Sequence, residues 1–252
     1  MRLSIDCRKV LELVPDAPCF LETRSILLDP AHARVCGESL SDCVVWHSET
    51  GLMTILGEPG PNLIADTIAD SGEVATLLAD LPHAATVAES IPGWELHTAQ
   101  RLVYAEDRIH HPQNGVRVET VARSEFAATA SLPERIVRQV AESATKGAVA
   151  AVWIGCELAS VCYTGWQTES LCDVAVFTQP RHRGKGYAAA AAFRLIRLIQ
   201  SSGRRACWFT DEGNLVSLGL ARRLGFRRPD RVAVFHKPFT QENSYGRQGK
   251  NS

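Results

Sequence analysis

The stretch Asp173-Val-Ala-Val-Phe-Thr-Gln-Pro-Arg-His-Arg-Gly-Lys-Gly-Tyr187 decides the fold. Its first six residues are rich in β-formers and read as a strand. The following turn carries two glycines among basic residues, and residues 187–202 then read as a helix. Gly184 and Gly186, so close to a helix start, let backbone N–H groups approach an anion that side chains would block. The helix dipole favours negative charge at the same point. The turn is built as a phosphate cradle, and the chain is expected to bind a phosphorylated cofactor.

Two common nucleotide patterns do not fit. Gly184-x-Gly186-x-x-Ala189 looks like a dinucleotide fingerprint, but that fingerprint follows its strand almost directly and opens a long strand–helix series. Here residues 179–183 intervene and little chain remains. The triphosphate loop needs Ser or Thr after its lysine, and Lys185 is followed by Gly186.

A different pattern does fit. Arg181-x-x-Gly184-x-Gly186 on a strand-to-helix turn resembles the acetyl-CoA signature of the GNAT N-acetyltransferase superfamily. The second half of that resemblance is Asn214-x-x-Ser217-x-x-Leu220, running to Leu224-Gly225-Phe226 after the strand Ala206-Cys-Trp-Phe-Thr210. The likeness covers roughly residues 116–236. The wording around Val176 and the long preceding segment look most like the two-part bacterial acetyltransferases related to zwittermicin-resistance enzymes. The resemblance implies an α/β (α+β) GNAT fold, a mixed and mostly antiparallel sheet with a splayed central strand. It also implies an acetyl-CoA-dependent N-acetyltransferase in which the amine attacks the thioester directly.

Residues 51–104 echo residues 173–236 in order: strand, turn, helix, strand, helix, strand. The equivalent turn, Gly57-Glu-Pro-Gly-Pro61, carries an acid in place of arginines and two prolines that remove N–H donors. It reads as a degenerate copy that holds no cofactor, against the alternative of an unrelated α/β domain of similar order. The expected division is residues 1–106 for this smaller half, 107–115 for a linker, 116–240 for the acetyltransferase domain and 241–252 for a disordered tail.

Composition bounds the rest. The 252 residues are 45% hydrophobic and 22% charged, ordinary for a chain with a real core. No run of eighteen apolar residues exists, and the start Met1-Arg-Leu-Ser-Ile-Asp-Cys-Arg-Lys is too charged for a signal peptide. The eight cysteines form no Cys-x-x-Cys pair; Cys156, Cys162, Cys172 and Cys207 fall in apolar runs and are expected to be buried and reduced. A cytoplasmic protein without a membrane segment or metal site is expected; His110-His111 lacks further ligands at metal spacing. Residues 181–231 hold twelve Lys/Arg and three Asp/Glu, against fifteen and twenty-five elsewhere. That excess suits a polyanion such as CoA; nucleic acid is not expected, because exposed aromatics are not interleaved with the charges.

What the resemblance implies for the site is specific. Arg181, Arg183, Gly184, Lys185, Gly186, Tyr187 and Ala188 would hold the phosphates. Val176, Phe177 and Thr178 would meet the pantetheine arm and the thioester oxygen through their backbone. Asn214 would touch the pantetheine region, and it is also an ideal helix N-cap. Asp173 is the candidate base, with Glu157 and Glu169 as the other nearby acids. The family often places a tyrosine acid where this chain has Ala221, so Ser217 one turn earlier is the candidate donor, with Tyr187 as another. The expected acceptor is a small-molecule amine, cationic if the acidic excess elsewhere reflects it. The alternative is an acyl-CoA-binding regulatory module that has lost turnover. Whether the first half forms a pocket wall or a homodimer surface stays open.

Overall fold

A computed structural model describes residues 3–72, 74–105, 118–120, 132–145 and 149–238. Along the chain the elements are β1 (Leu3–Ser4), α1 (Cys7–Leu13), α2 (Leu21–Leu27), β2 (Ala33–Gly37), β3 (Cys43–His47), β4 (Leu52–Leu56), α3 (Pro61–Ser71), β5 (Thr76–Asp80), α4 (Ala84–Ser90) and β6 (Glu95–Tyr104). They continue with β7 (Val118–Thr120), α5 (Glu134–Thr145), β8 (Val149–Ile154), β9 (Glu157–Gln167), β10 (Leu171–Thr178), α6 (Tyr187–Ser201), β11 (Arg205–Asp211), α7 (Leu215–Leu224) and β12 (Phe226–His236).

The chain forms two compact units whose segments interleave. The first holds Met1–Val14, Ile26–Thr98 and Arg231–Ser252; the second holds Pro15–Ser25 and Ala99–Asp230. Residues 15–25 thus belong with residues 99–230, and the end of β12 belongs with residues 26–98. The expected linker and tail lie outside the described residues.

Within the first unit the strands run β1-β2-β3-β4-β5 and close on the end of β12. All neighbours are antiparallel except β4 and β5, which pair in parallel from Leu52↔Thr76 to Thr54↔Leu78. Its core gathers Val44, Met53, Ile64, Leu77, Val87 and Phe235. α3 opens with Pro61 after Gly60 and ends on Gly72 in the left-handed region, as its proline-then-glycine spelling demands.

Within the second unit the order is β7-β8-β9-β10-β11-β6, again antiparallel apart from one parallel pair, β10 and β11. Both units therefore repeat one plan: an antiparallel meander, one parallel step, and a closing antiparallel strand. The strand closing each unit is the one that the repeat reading assigns to the other half: residues 99–103 pair with β11, and residues 232–236 pair with β5.

The sheet of the second unit is covered on both faces. α6 lies on one, its Ala190, Ala191 and Ala192 approaching Cys162, Cys172, Val174, Ala206 and Trp208; alanines permit that close helix–sheet contact. The other face carries α5, through Ile136 and Val140 with Val161, Tyr163, Ala175 and Phe177. Leu21 packs on the same face with Leu171 and Cys207. Burial pushes the thiol of Cys207 up to about 12 and that of Cys172 up to about 11. Cys156 departs from expectation: it lies exposed in the β8–β9 turn, because the Gly155 turn projects it from the sheet. All eight cysteines are free thiols.

Candidate functional site: a forked pair of strands ending in an anion cradle

β10 and β11 pair only at Leu171↔Arg205, Cys172↔Ala206 and Asp173↔Cys207. Both strands then continue, to Thr178 and Asp211, with no further rung between them. Each stays tied on its outer side: β10 to β9 as far as Thr178↔Ser160, β11 to β6 as far as Asp211↔Ala99. The result is a fork with open inner edges.

The pairing decides which backbone groups face the fork. Gln179 donates its N–H to Ala159 O at 3.0 Å. Opposed residues in an antiparallel ladder alternate between bonded and non-bonded pairs, so Phe177 and Ala175 also turn their N–H and C=O toward β9. Val174, Val176 and Thr178 point theirs into the fork. The Phe177 carbonyl accepts from Ser160 Oγ at 3.1 Å, and its ring belongs to the cluster under α5.

Beyond Thr178 the chain makes a short 3-10 turn, Pro180–His182, and reaches Gly184 and Gly186 at φ 75° and 80°. L side chains disfavour that region, which is why glycine stands at both positions. Gly186 caps α6 without a side chain, and the first intrahelical bond is Ala190 N–H to Gly186 O. The N–H groups of Tyr187, Ala188 and Ala189 are left without intrahelical partners at the positive end of a 15-residue helix. Arg183 and Lys185 are exposed beside them. Arg181 is differently engaged: it forms an ion pair with Glu157, which also takes His182 Nε2 at 2.8 Å. His182 is therefore a buried support of the turn, packed 5.9 Å from the Tyr187 ring, and not the solvated loop residue its flanking arginines suggest.

At the apex of the fork lies Asp173. Alternation along β10 places it on the face shared by α5 and Leu21. β9 carries a bulge opposite it, between Cys172 and Val174, and Gly165 makes the room: a Cβ there would sit 2.8 Å from Asp173 Oδ2. Asp173 Oδ1 is buried and without a hydrogen-bond partner. Burial, reinforced by the charge of Glu22, pushes the carboxyl up to about 7; the backbone N–H groups of Phe209 and Val174 and the Arg101 guanidinium pull the other way. The two rival acids are spent in ion pairs. Glu169 is held low by Arg24, at 2.6 and 2.8 Å. Glu157, against a residual cost of burial, is held low by His182 and Arg181.

Across the fork, Asn214 caps α7 by accepting the Ser217 N–H at 3.1 Å. Ser217 Oγ accepts the Trp208 indole N–H at 3.0 Å, which leaves the hydroxyl proton available to another acceptor. Ala221 is fully buried in the core of this unit.

Two functional candidates were not foreseen. Arg101 on β6 and Glu22 on α2 form a buried ion pair, extended from Arg101 to Asp230 at 3.1 Å. The only hint in the sequence was a charged residue at an inward position of an alternating strand.

Residues 138–235 match the family model of the GNAT acetyltransferases. That segment spans the fork, the cradle and the helix capped by Asn214. The match is to a GNAT acetyltransferase domain. The whole chain is similar in fold to a GCN5-related N-acetyltransferase-like protein from Streptococcus suis, at 17% identity, TM-score 0.68, covering 92% of this chain and 98% of that one. A GNAT-family acetyltransferase from Colwellia psychrerythraea aligns at 13% identity and TM-score 0.61, covering 94% and 98%. A tandem GNAT protein from the clavulanic acid biosynthesis pathway aligns at 13% and TM-score 0.58, covering 95% and 99%. No curated protein matches the chain. The GNAT assignment carries acyl transfer as the class of reaction. No helix among the described residues is long and apolar enough to cross a membrane.

Outside the GNAT domain, Asp29, His32 and His47 gather their ligand-type atoms within 4.8 Å. His47 Nδ1 accepts from Thr50 N–H at 3.3 Å, so in the neutral ring the proton sits on Nε2 and faces Asp29 Oδ2 at 3.4 Å. That arrangement is a closed hydrogen-bonded cluster.

Proposed function

We propose that this chain is an acetyl-CoA-dependent N-acetyltransferase acting on a small-molecule amine. The observation that carries the reading is the fork: two open strand edges that meet at a carboxyl poised near neutrality and lead outward to a helix N-terminus whose first N–H groups have no intrahelical partner. When bound, acetyl-CoA supplies an acyl group activated as a thioester.

The residues present fit such a group. The free N–H groups at residues 187–189, with Arg183 and Lys185, suit a pyrophosphate. Val176 and Thr178 offer backbone donors and acceptors to an extended amide-bearing arm, as an added strand would take them. Arg181 contributes by fixing the turn through Glu157.

Asp173 acts as general base. A carboxylate with a pKa near the working pH accepts the proton of an attacking amine efficiently, and its unpaired Oδ1 is the acceptor. Ser217 donates toward the departing sulfur, its oxygen held by Trp208. This arrangement replaces the tyrosine whose place Ala221 takes. Glu22, Asp173 and Asp230 give the face an acidic character that suits a cationic amine. Eight free thiols suit a reducing, cytoplasmic setting.

The test is transfer itself. Purified protein, acetyl-CoA and a panel of polyamines, aminoglycoside-type and neutral amines should release free CoA with at least one acceptor. A protein that binds acetyl-CoA yet releases no CoA with any amine would instead be the binding module without turnover.

A further inference from the structure

We propose that Glu22, brought in on residues 15–25 and clamped to Arg101, is a positioning residue that sets when Asp173 carries charge. This inference rests on the reading of Asp173 as the base.

The segment is fastened to the second unit at several points around Glu22. Asp16 accepts from Thr168 Oγ1 at 2.5 Å and from Ser170 N–H at 2.8 Å. Arg24 pairs with Glu169, and Ser25 Oγ accepts from Gln167 N–H at 3.0 Å. These anchors all lie on residues 167–170, immediately before β10 delivers Asp173. Between them, Leu21 closes on Leu171 and Cys207, and Glu22 turns inside.

What Glu22 meets there is costly for stability alone. Glu22 is 3% exposed and Arg101 2%. Burying two charges in one another's company is seldom better than burying an apolar pair of similar size. Arg101 stands opposite Phe209 in the β6–β11 ladder, with its guanidinium carbon 5.6 Å from that ring. Phe209 in turn supplies backbone N–H to Asp173. The ion pair is thus held opposite Phe209, two residues beyond the last rung at Cys207, and Arg101 Nε, like Asp173 Oδ1, is buried without a partner.

The groups acting on Asp173 can be named by element. α2 contributes Glu22 and β6 contributes Arg101; β12 reaches Arg101 through Asp230. β9 contributes Cys162 and Tyr163, β10 Cys172 and β11 Cys207. Burial holds the three thiols and the phenol uncharged through the neutral range, Tyr163 rising to about 12. From α5, Arg135 acts on Tyr163. The charge of Glu22 is therefore the one that opposes ionisation of Asp173 directly, and its grip on Arg101 restrains the one that favours it.

The experiment is the pH profile of kcat/KM for wild type, Glu22→Gln, Glu22→Asp and Arg24→Ala, beside a carboxyl NMR titration of Asp173 without acetyl-CoA. Glu22→Gln should move the acid limb and the Asp173 titration down together by about one pH unit. Glu22→Asp should restore both. Arg24→Ala loosens the segment without touching the pair, so it should lower Tm and leave the limb in place. If Glu22→Gln does not fold, Asp230→Asn takes one counter-charge from Arg101 at its exposed end and should lower the limb by a smaller step. A limb and titration unmoved in the folded variants overturn the role of Glu22 while leaving the base intact. A limb that persists in Asp173→Asn overturns the base, and with it this inference.

Discussion

Asp173 and Cys207 form the last rung between β10 and β11. Beyond it the two strands part, and the side chain of Asp173 occupies the angle. Strand separation and a carboxyl near neutrality are thus one feature: the lost ladder opens backbone edges for a ligand, and the enclosed apex raises the acid.

Asp173→Asn should lower kcat/KM by about 10²–10⁴-fold, the usual worth of a positioned base. In wild type, kcat/KM should rise with pH through about 7, as the carboxyl loses its proton. The steady-state profiles of the two proteins check both points. A variant that keeps the wild-type rise would show that another group titrates.

Stability should move the opposite way. The folded-state pKa of Asp173, about 7, lies above the ordinary carboxyl value of 3.8, so folded protein binds the extra proton between these values. Its contribution is full below about pH 4 and is lost as pH rises to about 7. Asp173→Asn removes that loss, and the variant should be more resistant to urea than wild type at pH 8. The advantage should shrink at pH 5.

Ser217→Ala should reduce kcat more than it affects acetyl-CoA affinity, since the hydroxyl is placed to donate only as sulfur departs. It also strands the buried Trp208 N–H, costing about 1–3 kcal/mol. Comparing kcat, KM and Tm separates the two effects. Equal kcat with lower Tm would leave Ser217 a structural residue.

The sequence made the second unit largely legible, for local reasons. The helix from Tyr187 is written in its two glycines and five alanines, and Asn214 announces its cap. α5 follows directly on Pro133, at Glu134–Thr145. The forked strands were implied by resemblance, since no residue spelling says where a ladder stops. Strand partners were illegible too: residues 99–103 and 232–236 alternate like any closing strand, and only the fold assigns them to the opposite units. Glu22 escaped notice because its partner is 79 positions away. The flanking arginines of His182 give no hint of its burial, whereas Glu157 draws it inward.

Lys185→Ala and Arg183→Ala should each weaken acetyl-CoA binding about tenfold at low salt, and less at high salt, because both are exposed charges that salt screens. Arg181→Ala should act differently: it releases Glu157 and loosens the turn, so Tm should fall along with affinity. Affinity measured at two ionic strengths, beside thermal unfolding, distinguishes them.

The account stands most directly on one titration: acetyl-CoA into the parent protein and into Gly186→Glu, by calorimetry. Gly186 has φ 80°, so a glutamate there is strained and sets a negative charge at the mouth of the cradle. The expected result is saturable one-site binding by the parent, lost in a variant that remains folded. Absence of binding to folded parent, or equal binding by both proteins, would contradict the fork and cradle as the seat of acyl transfer.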